Sequence, residues 1–61
     1  MNRQKALARQ TKEYRIENGL TQLRLALLLG ISEATVWRIE RARSVSVTTA
    51  YKVRKFLENS R

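Results

Sequence analysis

The segment QLRLALLLGISEATVWRIER, from Gln22 to Arg41, most constrains the fold of this 61-residue chain. Its apolar residues recur three and four positions apart on both sides of a short turn, which is the spacing of a helix face that packs on a core. The residues predicted to face the core are Leu25, Ala26, Leu29, Val36 and Ile39. In the turn, Gly30 favours the left-handed backbone that ends a helix, and Ser32 is a good N-cap for the next one. The segment therefore predicts two short helices across a tight turn.

The charge of the chain is strongly positive and lies towards its two ends. Lys and Arg exceed Asp and Glu by 13 to 5, a formal net charge of +8. The flanking basic residues are Arg3, Lys5, Arg9, Lys12 and Arg15 before the segment, and Arg41, Arg43, Lys52, Arg54, Lys55 and Arg61 after it. Basic flanks suit a polyanion, because each neutralised phosphate releases condensed counterions. A solubilising surface gives the same composition, so charge alone leaves both interpretations open.

The composition argues against several classes of protein. Cysteine and histidine are both absent, which removes disulfides, thiolate metal sites and the commonest general base. The acidic residues form no tight pair suited to acid–base chemistry, so we expect neither an enzyme nor a metal, cofactor or small-molecule ligand. The apolar run 23–29 is too short to span a membrane, and the N-terminus lacks a secretory signal. We expect a cytoplasmic protein.

The whole chain, residues 1–61, is predicted to form one all-α domain with the helix-turn-helix at 22–41. The four expected helices run from about Gln4 to Asn18, Gln22 to Leu29, Glu33 to Arg41 and Val47 to Asn59. The first should turn Leu7, Thr11 and Tyr14 inward. The fourth has as core candidates Val47, Ala50, Tyr51, Val53, Phe56 and Leu57. The β-branched stretch 45–49 is also compatible with extended backbone.

The pattern resembles the lambda-repressor-like family, the Cro and phage-repressor type of helix-turn-helix. The matching residues are Arg15, Gly19-Leu20-Thr21-Gln22, Leu25-Ala26, Leu29-Gly30-Ile31-Ser32, Thr35-Val36 and Arg38-Ile39-Glu40. The resemblance implies a five-helix domain whose third helix enters the major groove of double-stranded DNA, usually as a homodimer on a palindromic operator. It also implies a structural salt bridge between Arg15 and Glu40. Because this chain stops soon after the fourth helix, we expect a four-helix bundle truncated from that fold, with its usual dimerisation helix missing.

The resemblance also assigns the DNA contacts. Base contacts fall on Glu33, Ala34, Trp37 and Arg38, and phosphate contacts fall on Gln22, Ser32 and Thr35. Arg41 and Arg43 lie just past the third helix, where we expect them to meet phosphates rather than bases. Helical periodicity supports the base-contact set independently, because Val36 and Ile39 point to the core and leave those side chains on the outer face.

Three of these assignments have alternatives. Arg38 suits guanine O6 and N7, although it can instead hold a phosphate. Glu33 can accept from cytosine N4, or simply stabilise the positive end of its helix. Trp37 can stack on a sugar or a thymine methyl, or fold back over the loop as part of the core.

The sequence departs from the family pattern in several places. Leu23, Leu27 and Leu28 stand where charged or polar residues are usual, which indicates an interface unless the first helix or the N-terminal arm covers them. Ala42 replaces a common glycine, so the turn should differ or the third helix should continue. Thr11 replaces an apolar residue and should loosen the packing of the first helix. Residues 1–5 can form an arm along the duplex or a frayed terminus.

The sequence is compatible with two main classes of function. The first is a sequence-specific DNA-binding regulator, most simply a small repressor that occludes a promoter, of bacterial, phage or mobile-element origin. The second is a protein-interaction module of the same fold, such as an antitoxin or a coactivator-like domain, that uses the patch Leu23, Leu27 and Leu28. Nonspecific coating of nucleic acid is weakly supported, because aromatic residues are few and not arrayed for base stacking. A membrane-surface helix is weaker still, since the second helix lacks a basic polar face.

Overall fold

The structure is a computed structural model that describes residues 3–60. Within that range the regular structure is entirely helical, which agrees with the predicted all-α class. The helices are α1 (Arg3–Glu17), α2 (Gln22–Leu29), α3 (Glu33–Glu40) and α4 (Val47–Asn59). The predicted bounds of α2 and α4 agree with these, whereas α1 lies one residue earlier than predicted and α3 ends one residue earlier.

Hydroxyl side chains cap the start of α2, α3 and α4. Thr21, Ser32 and Ser46 have extended backbone, and each side-chain oxygen accepts a 3.1 Å bond from the backbone N–H three residues later. Each cap satisfies one of the N–H groups that a helix start leaves without an intrahelical partner. Because Ser46 caps α4, the β-branched stretch is helical from Val47 onwards rather than extended.

The core lies where α3 packs against α1 and α2, with α4 closing the remaining side. Its buried apolar residues are Leu25, Ala26, Leu29, Val36, Ile39, Val53 and Leu57. Between α1 and α4, the rings of Tyr14 and Phe56 meet edge to face with centroids 5.4 Å apart. The five core residues predicted for α2 and α3 are therefore all buried.

Two residues of α4 that were predicted as core candidates are exposed. Val53 and Leu57, one helical turn apart, are buried and define the inner face. Tyr51 lies about 200° around the helix from Val53 and Val47 about 120°. Both side chains therefore point away from the core, and both are exposed.

The ends of α1, α2 and α3 share one backbone geometry. Gly19, Gly30 and Ala42 have φ angles of 63°, 71° and 58°. In each case the N–H of the residue after the turn bonds the carbonyl five positions back, at 2.9, 3.0 and 2.9 Å. This is the Schellman arrangement, which glycine usually completes because it has no Cβ.

The prediction for Ala42 was wrong. The turn after α3 neither differs from the glycine-containing turns nor lets the helix continue, because Ala42 itself takes the left-handed conformation. Alanine is strained there by its Cβ, at a cost of roughly 1–2 kcal/mol. The bonds from Ala42 N to Ile39 O (3.0 Å) and from Arg43 N to Arg38 O (2.9 Å) hold the turn in place.

Thr11 lies in the core, and the looser packing expected of it stays a prediction. Its side chain is fully buried, and its Oγ1 donates a 2.7 Å hydrogen bond to the carbonyl of Leu7 one turn earlier. A buried hydroxyl costs free energy only when it lacks a partner, and this one has a partner within its own helix. Thr11 therefore packs as a small core residue.

The candidate N-terminal arm is largely helical. Arg3, Gln4 and Lys5 form the first turn of α1, and Gln4 Nε2 donates a 2.9 Å hydrogen bond to Ser44 Oγ in the loop before α4. Met1 and Asn2 lie outside the described residues. From Arg3 onwards the segment is therefore part of the bundle.

Candidate nucleic-acid interface

A polar network joins the end of α1, the end of α3 and the start of α2. Arg15 Nε and Nη2 donate to the two carboxylate oxygens of Glu40 at 2.7 and 3.0 Å, in a fork-to-fork geometry. Arg15 Nη1 also donates to the carbonyl of Leu20 at 3.1 Å. Gln22 Nε2 donates to Glu40 Oε1 at 3.3 Å. The network fixes the angle between α1 and the helix-turn-helix, and it anchors the Gln22 side chain at the first residue of α2.

The Arg15 guanidinium is charged at any ordinary pH. The hydrogen bonds to Glu40 raise its pKa above the usual value, burial opposes that shift, and the Glu40 charge adds to it. Because this pKa is raised in the folded state, deprotonation of Arg15 removes its contribution to stability only in strong alkali.

The outer face of α3 is open to solvent. Val36 and Ile39 are buried, and the side chains on the opposite face are exposed, namely Glu33, Ala34, Trp37 and Arg38. The structure thus places the four predicted base-contact residues on one accessible surface, hereafter the α3 face. Glu33 occupies the first position of the helix, where its negative carboxylate also interacts favourably with the positive end of the helix dipole.

Arg38 lies between the α3 face and the turn that follows α3. Its Nη2 donates to the carbonyl of Ser44 at 3.3 Å, a long bond between exposed groups. Such a bond is readily exchanged for another acceptor, because its net contribution in water is small. Arg38 is therefore free to extend from α3 towards a base edge or a phosphate.

Four of the predicted phosphate-contact residues lie at the two ends of the α3 face. Ser32 and Thr35 lie at its start, with their hydroxyls 2.7 Å apart and the Thr35 N–H bonded to Ser32 Oγ. Arg41 and Arg43 lie at its end, both exposed. Because hydroxyl groups are uncharged, the positive charge at the two ends of this surface comes from the arginines.

Trp37 is partly exposed, at 40% of its surface, and the guanidinium groups of two arginines lie close to its ring. The Cζ atoms of Arg41 and Arg43 lie 4.7 and 5.6 Å from the centroid of its ring. The sequence predictions placed Trp37 against DNA or in the core and missed these contacts. The four-residue spacing between Trp37 and Arg41 is the signal that indicates the first of them, since such pairs lie side by side on a helix.

The leucines of α2 form an exposed apolar patch. Leu23, Leu27 and Leu28 are all exposed, and Leu27 is the most accessible of them at 67%. Helix α1 does not cover them. These leucines, hereafter the α2 patch, remain the strongest candidate for a protein contact on α2.

Two short capped helices across a left-handed glycine turn, with the second helix exposed along one face between basic residues, define a helix-turn-helix DNA-binding domain. A family model described as helix-turn-helix, of the Cro/C1 type, matches residues 12–61. The chain therefore belongs to this lambda-repressor-like family, a family of DNA-binding regulators rather than of enzymes. Membership of this family supports double-stranded DNA as the binding partner.

No curated protein and no solved structure matches the chain significantly. Among residues 3–60, no helix is both long and apolar enough to cross a membrane.

Proposed function

We propose that this protein is a sequence-specific regulator of transcription that inserts α3 into the major groove of double-stranded DNA. The observation that carries this proposal is the α3 face, which is exposed while its helix is held from behind by Val36 and Ile39 in the core. A helix exposed on one side and fixed on the other is the geometry that the major groove accepts.

The proposed contacts divide into two kinds. Base edges are contacted by Glu33, Ala34, Trp37 and Arg38, and phosphates by Gln22, Ser32, Thr35, Arg41 and Arg43. The polar network supports the role of Gln22, because Glu40 holds its side chain at the N-terminus of α2, where backbone N–H groups favour an anion. Arg38 is the proposed specificity residue, since a guanidinium can donate two parallel bonds to guanine.

Repression by promoter occlusion is the simplest mechanism. Occlusion requires only that the protein occupy the promoter, which a DNA-binding domain achieves by itself. We further propose that the protein binds as a homodimer, so that two α3 helices contact successive turns of a palindromic operator.

The test is selection of bound duplexes from a random pool at near-physiological salt. The proposal predicts enrichment of an inverted repeat with half-sites about one helical turn apart. Enrichment of one unrepeated site would contradict the homodimer. Salt-sensitive binding without enrichment would contradict specific recognition, because the phosphate contribution alone is independent of sequence.

A second candidate function is a protein-interaction module of the antitoxin type, which the exposure of the α2 patch favours. It predicts a partner that binds the patch in the absence of DNA. A Leu27→Glu variant that stays folded and loses a protein partner while keeping full DNA affinity would support this second function.

A further inference from the structure

The end of α3 brings two arginines onto one indole ring. Both Cζ atoms, those of Arg41 and Arg43, lie within the ~6 Å range in which a guanidinium is attracted to an aromatic face. Tryptophan gives the strongest such attraction, and Trp37 is the one tryptophan of the chain.

The backbone brings these three side chains together. Arg41 follows Trp37 by one helical turn, and its N–H bonds the Trp37 carbonyl at 3.1 Å. Arg43 reaches the same ring only because the left-handed Ala42 reverses the chain, with Arg43 N bonded to Arg38 O at 2.9 Å. The strained turn therefore has a consequence beyond ending the helix: it places the second guanidinium beside the indole.

We propose that Trp37 is a positioning residue, which holds the guanidinium groups of Arg41 and Arg43 ready to bind DNA phosphates at the C-terminal end of α3. This inference rests on the proposed function and deepens it. It gives Trp37 a role in gripping the DNA backbone that is separate from contact with a base.

The chemistry of arginine makes this role possible. A guanidinium stacks with its flat face, while its N–H donors point outward in the plane. The same group can therefore lie on the indole and donate two parallel bonds to a phosphate at the same time. A long side chain that is already held in place also loses less rotamer freedom on binding than a free one.

The contact in the free protein is tested first, by NMR without DNA. Side-chain protons of Arg41 and Arg43 in wild-type protein should show upfield ring-current shifts, which Trp37→Leu removes and Trp37→Phe partly keeps. Shifts in wild-type protein equal to those in Trp37→Leu would overturn the proposal. Arg9, an exposed arginine of α1, is the internal control and should be unaffected.

The effect on DNA binding is tested by a double-mutant cycle on the selected duplex. Trp37→Leu should lower affinity about fivefold more in the wild-type background than in the Arg41→Gln/Arg43→Gln background, where only its proposed base contact is lost. Trp37→Phe should recover part of the loss. An equal loss in both backgrounds would overturn the proposal, because the indole would then act on DNA by itself.

The salt dependence of binding separates positioning from direct charge contact. Arg41→Gln and Arg43→Gln should each reduce the slope of log affinity against log salt by about 0.9, whereas Trp37→Leu should leave the slope unchanged. Wild-type protein that shows the NMR contact but binds no duplex would overturn the proposed function, and the phosphate role with it. Duplex binding without coupling in the cycle would overturn the positioning role alone.

Discussion

Arg15 and Glu40 are joined by two parallel hydrogen bonds of 2.7 and 3.0 Å, which link the last turn of α1 to the last residue of α3. The carboxylate accepts a third bond from Gln22, at the first residue of α2. One carboxylate thus connects α1 and the end of α3 to Gln22, a proposed phosphate-binding side chain. Replacing Arg15 should therefore lower stability, whereas replacing Gln22 should lower DNA affinity.

Replacing Arg15 by Met should destabilise the fold by about 2 kcal/mol, because it leaves the nearly buried Glu40 carboxylate without its guanidinium. The Glu40 side chain is only 6% exposed. The measurement is urea unfolding monitored by circular dichroism. Adding Glu40→Gln to Arg15→Met should recover part of the loss.

The chain offers a matched control in the exposed pair Lys55–Glu58, whose charged atoms lie 3.8 Å apart. Lys55→Met should change stability by less than about 0.5 kcal/mol, since exposed pairs contribute little. Equal losses for Arg15→Met and Lys55→Met would show that the Arg15 pair is not structural.

Replacing Ala42 by Gly should stabilise the protein by about 0.5–1 kcal/mol. Glycine removes the left-handed strain, and its greater freedom in the unfolded chain offsets part of that gain. Thermal unfolding measures the effect as an increase in Tm.

Gly19→Ala, the reverse substitution at the end of α1, is the control for Ala42→Gly. An added Cβ at Gly19 meets no atom within 4 Å, so Gly19→Ala tests backbone strain alone. It should destabilise by about 1 kcal/mol. A decrease in Tm for Ala42→Gly would contradict the interpretation of this turn.

Gln22→Ala should weaken binding to every duplex by a similar factor, because a phosphate contact carries no base information. The expected loss is about tenfold to a hundredfold, the equivalent of one hydrogen bond to a charged group at roughly 1.5–3 kcal/mol. Fluorescence anisotropy with the selected duplex and an unrelated one measures both affinities. Asn59→Ala, which removes an exposed neutral amide of α4 outside the helix-turn-helix, is the control. A loss confined to the selected duplex would contradict a phosphate role for Gln22.

Leu27→Glu should abolish self-association if the α2 patch forms the homodimer interface, because it buries an unpaired carboxylate there. Analytical ultracentrifugation on and off DNA measures this. Val47→Glu is the matched control, since Val47 is an exposed apolar residue on α4. If Leu27→Glu self-associates as strongly as wild-type protein, the α2 patch is not the homodimer interface.

Most of the fold could be predicted because local signals agree with one another. The spacing of Leu25, Leu29 and Val36 fixes the core side of α2 and α3, and Thr21 and Ser32 fix where these helices begin. Helix α4 was harder to predict, since it has apolar residues on more than one side. Periodicity alone does not say that Val53 faces inward and Tyr51 outward.

The parts that sequence reasoning missed depend on tertiary geometry. A left-handed alanine at position 42 is contrary to local preference, and it forms because the surrounding backbone bonds hold it. The contact of Arg43 with Trp37 follows from that turn and has no helical spacing to indicate it. The roles of the candidate DNA-contact residues remain predictions.

Sequence-specific binding by this protein depends most on the proposed contact between α3 and base edges in the major groove. The most direct test of this contact compares wild-type and Arg38→Ala affinities for single-base variants of the selected duplex, including one with 7-deazaguanine in place of guanine. Wild-type protein should lose about tenfold or more at one guanine of each half-site, and Arg38→Ala should bind the original and substituted duplexes equally at that position while still discriminating at the others. Equal discrimination by both proteins at every position would contradict the claim that Arg38 contacts a base.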